Sequence, residues 1–191
     1  MTLDKRPFRP SPDEPVFIGF AGRMGSGKTS AATYVSSKYQ FQYRRYSQVL
    51  FQWRGADDQA RNQLQEIGWD VMARGLQAEL NARLIASLDP AQSAAVDGLR
   101  HPTDFDSLYR SFGAAFGLVF LEAEEEVRYT RLKQRFGSRA AFHAADSHPV
   151  ESHIDDLRSL ASLRLSNETS MENLQRQLDT WIASCRVRSH T

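Results

Sequence analysis

The run Gly22-Arg23-Met24-Gly25-Ser26-Gly27-Lys28-Thr29 has the residue types and spacing of G-x-x-x-x-G-K-[ST]. Glycines at 25 and 27 let the backbone curl until successive N–H groups converge on one anion. Ahead of the run, Val16 to Ala21 read as a short buried strand. After it, Thr29 to Tyr39 read as a helix, with Ala31, Tyr34, Val35 and Tyr39 at helical spacing. A helix that begins at such a curl aims its N-terminal partial charge at the same anion. A glycine turn without a ligand would need neither flanking element. The expectation is a nucleoside triphosphate held by Gly22, Met24, Gly25, Ser26, Gly27, Lys28, Thr29 and Ser30. Lys28 would reach the terminal phosphates, and Thr29 would offer its hydroxyl to Mg²⁺.

Other side chains of suitable chemistry lie further along. Asp97 ends an apolar strand, where a carboxylate holds a metal or accepts a proton; its plainer reading is a turn with Gly98. Arg128, Arg131, Arg135 and Arg139 run three to four apart, along one helix edge and into the next loop. Guanidinium groups so placed stabilise a phosphoryl group in transfer, or else pair with Glu124 to Glu126 along the helix. Arg61 and Gln65 accompany a helical stretch, where such residues are ordinarily solvated. His143, His148 and His153 with Asp146 step by five residues and line no single helix face, so no zinc site is expected.

The elements that must position these groups alternate. Phe41 to Tyr46 reads as a second strand, and Ser47 to Trp53 begins helical structure. From Asp57 to Leu88 apolar residues recur every three to five positions, an amphipathic helical region with Gly68 and Gly75 as possible breaks. Ser93 to Asp97 is a short strand, and Pro102 opens the next helix at a tolerated first-turn position. Gly113 to Leu121 contains a fourth strand; Glu122 to Phe136 is a helix beginning with acids and ending with bases, as its dipole favours. Gly137 to Pro149 reads as a loop or mobile flap, Val150 to Leu160 as helix, Leu163 to Ser166 as a last strand and Asn167 to Arg186 as a closing helix. Strands alternating with helices imply an α/β parallel sheet, with ligands at the carboxyl ends of its strands. The segments around residues 22–29 and 97–100, and Asn167, all fall there.

With 191 residues the chain is long enough for one domain with an adequate core. Lys and Arg number 24 against 23 Asp and Glu, so the net charge of +1 gives no general pull toward nucleic acid or anionic membrane. A polymer acceptor is therefore not favoured, although a local basic groove is compatible with this balance. The single cysteine, Cys185, excludes an internal disulfide and fits a reducing compartment. Residues 1–15 carry four prolines and no apolar segment of a secretory signal, so a flexible lead-in is expected. No apolar run is long enough to span a bilayer, and a cytoplasmic location follows as the default. Nothing in the sequence fixes an oligomeric state.

Val96-Asp97-Gly98-Leu99-Arg100 resembles the D-G-x-(P)-R segment of nucleoside monophosphate kinases, without the intervening proline. The resemblance implies that Asp97 lies near the metal and that Arg100 clamps the acceptor phosphate. Arg61-x-x-x-Gln65 is similar to the acceptor-binding helices of that superfamily, in which an Arg meets the acceptor phosphate and a Gln its base. Arg131-x-x-x-Arg135 matches the pair at the mouth of its closing lid. Asn167 to Leu174 resembles the N-[NED]-[GT]-S-x-x-x-L segment of dephospho-coenzyme A kinase relatives, which passes near the donor adenine; capping of the last helix by Thr169 or Ser170 is the plainer account. The likeness runs from Val16 to about Val187. It implies the P-loop NTPase fold: a five-stranded parallel sheet flanked by helices, with a helical acceptor-binding insert near 47–88 and a short lid near 137–149. It also implies Mg²⁺-dependent transfer of the ATP γ-phosphoryl group to a small phosphorylated acceptor, most simply a (deoxy)nucleoside monophosphate. Lys28, Asp97, Arg131 and Arg135 would carry the transfer, Thr29 and Asp97 the metal, and Arg61, Gln65 and Arg100 the acceptor. Dephospho-coenzyme A, a hydroxymethylated pyrimidine in DNA, or nucleotide sensing without turnover are the alternatives.

Overall fold

The structure, a computed structural model, describes residues 8–11, 14–55 and 63–187. β1 (Phe17–Ala21) is buried along its whole length; Phe17 and Ala21 face one core, Ile18 and Phe20 the other. Burial on both faces is what a central parallel strand demands. The chain continues through α1 (Lys28–Tyr39), β2 (Gln42–Arg45), α2 (Tyr46–Arg54), α3 (Leu64–Ala73) and α4 (Gln77–Ala86). β3 (Ala94–Leu99), α5 (Pro102–Phe112), β4 (Phe116–Glu122), α6 (Glu125–Phe136) and α7 (Arg139–Asp146) follow. α8 (Leu157–Leu160), β5 (Leu163–Ser166) and α9 (Met171–Val187) close it.

All five strands pair in parallel, in the order β2-β3-β1-β4-β5. The first connections go to one side of β1 and the later ones to the other, which opens a crevice beside its carboxyl end. One core lies between the sheet and α1 with α9, where Ala32, Val35, Leu174 and Leu178 meet Ile18, Val119 and Leu121. The opposite core packs Val49, Val71, Leu84, Phe105, Leu108 and Leu157 against Phe17, Val96 and Leu118. Each such side chain contributes about 1.5–3 kcal/mol by leaving water. Within the 1–15 lead-in, Phe8 stacks on Trp181 with ring centroids 5.0 Å apart, and Arg9 N–H donates to the Ala114 carbonyl.

Three expectations change. Gly68 does not break α3; it lies where a Cβ would press on Val150 at 3.3 Å, so it admits a neighbour instead. Gly75 is the break, just before α4 begins at Gln77. Residues 137–149 are not a loop throughout, because Ser138 Oγ caps α7 by accepting from Ala141 N–H, and fully buried Phe142 anchors it beside Tyr129 and Phe136. The helix expected over 150–160 is confined to α8, preceded by a 3₁₀ turn at Pro149–Glu151 that His148 and Pro149 initiate.

At the cleft end of β3 the pairing with β1 skips a residue: Phe20 faces Asp97 and Ala21 faces Leu99. The extra residue, Gly98, takes φ +94°, a conformation that strains any side chain. The bulge places Asp97 and Arg100 at the mouth of the crevice.

Candidate functional site

The Gly22–Thr29 segment lies at the carboxyl end of β1 and borders a cleft of about 640 Å³. Met24, Gly25, Gly27, Lys28, Thr29 and Ser30 form its wall, while Gly22 lies at the foot of the loop, off that wall. Gly27 is the N-cap of α1 at φ +99°, and no side chain caps that helix end. The N–H groups there are left for an outside acceptor. A Cβ at Gly27 would collide with the Asn167 side-chain amide, so the backbone passes that close only without one. Asn167 is 5% exposed; its Nδ2 donates to the Ser26 carbonyl at 2.8 Å and its N–H to the Glu122 carbonyl at 2.8 Å. Arg131 closes the clamp, donating to the carbonyls of Gly25 (3.2 Å) and Asn167 (2.7 Å). Ser26 is fully buried, with its hydroxyl unpartnered among the described residues.

Lys28 Nζ donates to the Arg23 carbonyl at 3.3 Å, across the loop. Desolvation chiefly, then the nearby Arg100 charge, pull its ammonium down to about 8, against the opposing pull of Glu151 and Asp97. An ammonium so poised gains from an incoming phosphate, which replaces the water it has lost.

Asp97 is 1% exposed, and its Oδ2 accepts from Thr29 Oγ1 at 2.7 Å and Tyr43 Oη at 2.9 Å. Arg45 Nε lies 3.4 Å from the same oxygen. Oδ1 has no hydrogen-bond partner among the described residues. Burial first, then the Asp97 charge, push the Tyr43 hydroxyl well above its usual range. A buried carboxylate with one open oxygen beside a threonine hydroxyl is a hard-oxygen donor set, and it fits Mg²⁺.

Arg100 lines the cleft beyond Asp97 and donates from Nη1 to Glu151 Oε1 at 2.5 Å. Its backbone N–H and that of His101 both donate to Asp104 Oδ2, completing a capping box at α5. Asp104 Oδ1 accepts from Gln77 Nε2 at 2.6 Å. Burial raises the Asp104 carboxyl, and these donors only partly oppose it. Leu50, Phe51, Met72, Leu80 and Val150 supply an apolar wall on this side.

The expected residues thus divide. Lys28, Thr29, Asp97, Arg100, Arg131, Arg135 and Asn167 all border the one cleft, with the Arg135 guanidinium 5.1 Å over the Phe136 ring. Gln65 points elsewhere: its amide donates to the Ala145 carbonyl at 2.8 Å, tying α3 to α7, while Leu64, Gly68 and Met72 face the cleft. Arg61 lies outside the described residues. Of the other two arginines in the series, Arg128 is buried on Asp146 through two bonds of 2.6 and 3.0 Å, and Arg139 pairs with Glu126. Tyr43, Arg45, Gln77, Asp104 and Glu151 escaped sequence reasoning. Arg45 was findable, because it ends a strand and the carboxyl ends of strands hold the ligand.

No family model matches the chain, and no curated protein matches it. Solved structures do. A gluconokinase from Sinorhizobium meliloti 1021 aligns at TM-score 0.59 and 17% identity, over 97% of this chain and 100% of that one. A shikimate kinase from Acinetobacter baumannii, solved with shikimate, aligns at 0.58 and 13%, over 94% and 97%. An APS kinase from Mycobacterium tuberculosis, solved with AMPPNP and APS, aligns at 0.59 and 17%, over 90% and 98%. The chain has the fold of these P-loop kinases. Among the described residues no helix is long and apolar enough to cross a membrane.

Proposed function

We propose that this chain is an ATP-dependent, Mg²⁺-requiring phosphotransferase whose acceptor is a small phosphorylated molecule, a (deoxy)nucleoside monophosphate first among them. One observation carries the reading. A single cleft joins the capless start of α1 and Lys28 to a second compartment with two arginines, Arg45 and Arg100, and an apolar wall. A site for hydrolysis alone has no use for that second compartment. The APS kinase neighbour, solved with a triphosphate analogue and an acceptor together, supports two-substrate occupancy.

In this reading the loop amides and Lys28 hold the β- and γ-phosphates, and Asn167 and Arg131 keep the loop from opening. Thr29 Oγ1 and the open Oδ1 of Asp97 would hold Mg²⁺, which supplies charge neutralisation on the phosphates when bound. Arg100 and Arg45 draw the acceptor's phosphate in, and the apolar wall takes its flat base. An acceptor oxygen forms the new bond to the γ-phosphorus as the bridging P–O bond to the β-phosphate breaks, and ADP departs. A phosphate oxygen brings its own negative charge, so no general base is required, consistent with Asp97 holding Thr29 and Tyr43. Arg131 and Arg135 stand where charge spreads over the moving group. Catalysis is then positioning and electrostatics.

The test is ADP release with Mg²⁺ATP across an acceptor panel: nucleoside and deoxynucleoside monophosphates, dephospho-coenzyme A, gluconate, shikimate, APS and hydroxymethylated-pyrimidine DNA. Release driven by a monophosphate is the expected result. Release with another class alone overturns the acceptor, and tight triphosphate binding without release under any acceptor overturns the phosphotransferase.

A further inference from the structure

We propose that Glu151 is the positioning residue for Arg100, holding its guanidinium by one edge so that the other edge meets the acceptor's anionic group. The inference rests on the reading of Arg100 as acceptor-binding. Glu151 is 1% exposed, and a buried carboxylate is costly unless it is both paired and fully hydrogen-bonded. Only Oε1 is satisfied, by Arg100 Nη1; Oε2 meets no hydrogen-bond partner among the described residues. A buried ion pair with one carboxylate oxygen unbonded adds little net stability. The Glu151 charge also acts on Lys28 and Arg23, yet the one side-chain hydrogen bond it makes among the described residues goes to Arg100.

Nor does the local backbone need the carboxylate. Pro149 opens the 3₁₀ turn, His148 Nδ1 accepts from Val150 N–H at 3.2 Å, and Val150 packs against α3 beside Gly68. The turn therefore delivers Glu151 to a fixed point opposite β3. Arg100 is fixed at its backbone by Asp104, but its side chain has four torsions left to settle. Glu151 settles them. A guanidinium has five donors in a planar fork. Glu151 takes one, and the described residues provide no further hydrogen bond to that guanidinium. The Nε–Nη2 edge stays open for a bidentate oxyanion, the geometry in which arginine binds phosphate best. A fork oriented beforehand loses less freedom when the anion arrives.

The experiment compares wild type, Glu151→Gln, Arg100→Ala and the double variant. Calorimetry follows a panel of nucleoside monophosphates binding to protein saturated with AMPPNP and Mg²⁺. Glu151→Gln is isosteric; should it fail to fold, Glu151→Asp, which keeps the charge but retracts it, is read the same way. The expected result is about tenfold weaker monophosphate binding in Glu151→Gln, with AMPPNP affinity within about twofold. In the Arg100→Ala background the same change adds nothing. Equal affinity in wild type and Glu151→Gln, additive losses, a matching loss of AMPPNP affinity, or no monophosphate binding to wild type each overturn it. Because binding is read without turnover, intact binding with no ADP release refutes the phosphotransferase and leaves Glu151 in its role.

Discussion

The two halves of the cleft are built by different means. The half that the proposed reading gives to the donor is built largely on backbone: a glycine curl, the open end of α1, and carbonyls clamped by Asn167 and Arg131. The half it gives to the acceptor is side chains brought from separate elements: Arg45 from β2, Leu50 from α2, Gln77 from α4, Arg100 from the end of β3, and Val150 from the 3₁₀ turn. A backbone site is written in consecutive residues, even where distant side chains such as Asn167 and Arg131 hold it closed. A side-chain site depends on helix phase and on every crossing that brings those residues together. On that reading the first half would be common to proteins of this fold and the second free to differ among them.

Four measurements break or sharpen this contrast. Lys28→Ala should lower transfer by about 10³-fold while leaving circular dichroism and melting nearly unchanged, since the lysine serves the ligand and not the core. Wild-type-like turnover would remove its role. Arg128→Met comes next, because the donor half is braced from behind: Arg128 is 4% exposed, holds Asp146 and donates to the Met24 carbonyl. Removing it leaves Asp146 buried without its main partner and should cost about 3 kcal/mol in denaturant unfolding. Weaker triphosphate binding should accompany that loss, with acceptor discrimination unchanged. A stability change under about 0.5 kcal/mol, ordinary for a surface site, would show that the brace is ornamental.

Arg100→Ala should raise the acceptor KM by about tenfold, leaving the ATP KM within about twofold. If only the ATP KM moved, the division of the cleft would be drawn in the wrong place. The smallest effect is in pH. With Lys28 lowered to about 8, the free protein loses the ammonium as pH rises through that value, while bound triphosphate favours the charged form. Affinity should be level below pH 8 and fall above it, about tenfold between pH 7 and pH 9, with proton uptake on binding at pH 9. Affinity flat to pH 9.5 would mean that the ammonium is not the group being read.

The same contrast explains what the sequence showed. Glycine spacing and the apolar run of β1 are local, so the loop, the strand before it and the helix after it stand where sequence reasoning put them. Asp97 was legible because it ends an apolar strand. Gln65 went astray because its phase on α3 is decided by packing against α7. Tyr43 and Arg45 passed as part of an aromatic strand; nothing local says that Asp97 lies beside them, a pairing of β2 with β3 across the intervening α2, α3 and α4. Helix α7 was hidden by its small and polar composition, although Ser138 and Phe142 carried a cap and an anchor. Glu151 had no signal, since its partner lies fifty-one positions away.

Asn167 reaches the glycine loop from just beyond β5, 141 positions along the chain from Ser26. With the loop and its clamp so far apart, curling the loop and closing it are separate events in folding. The closed grip needs β5 paired with β4, because Asn167 follows that strand directly. On the proposed reading, triphosphate affinity would thus report that β5 has docked beside β4, and not only that the loop has formed.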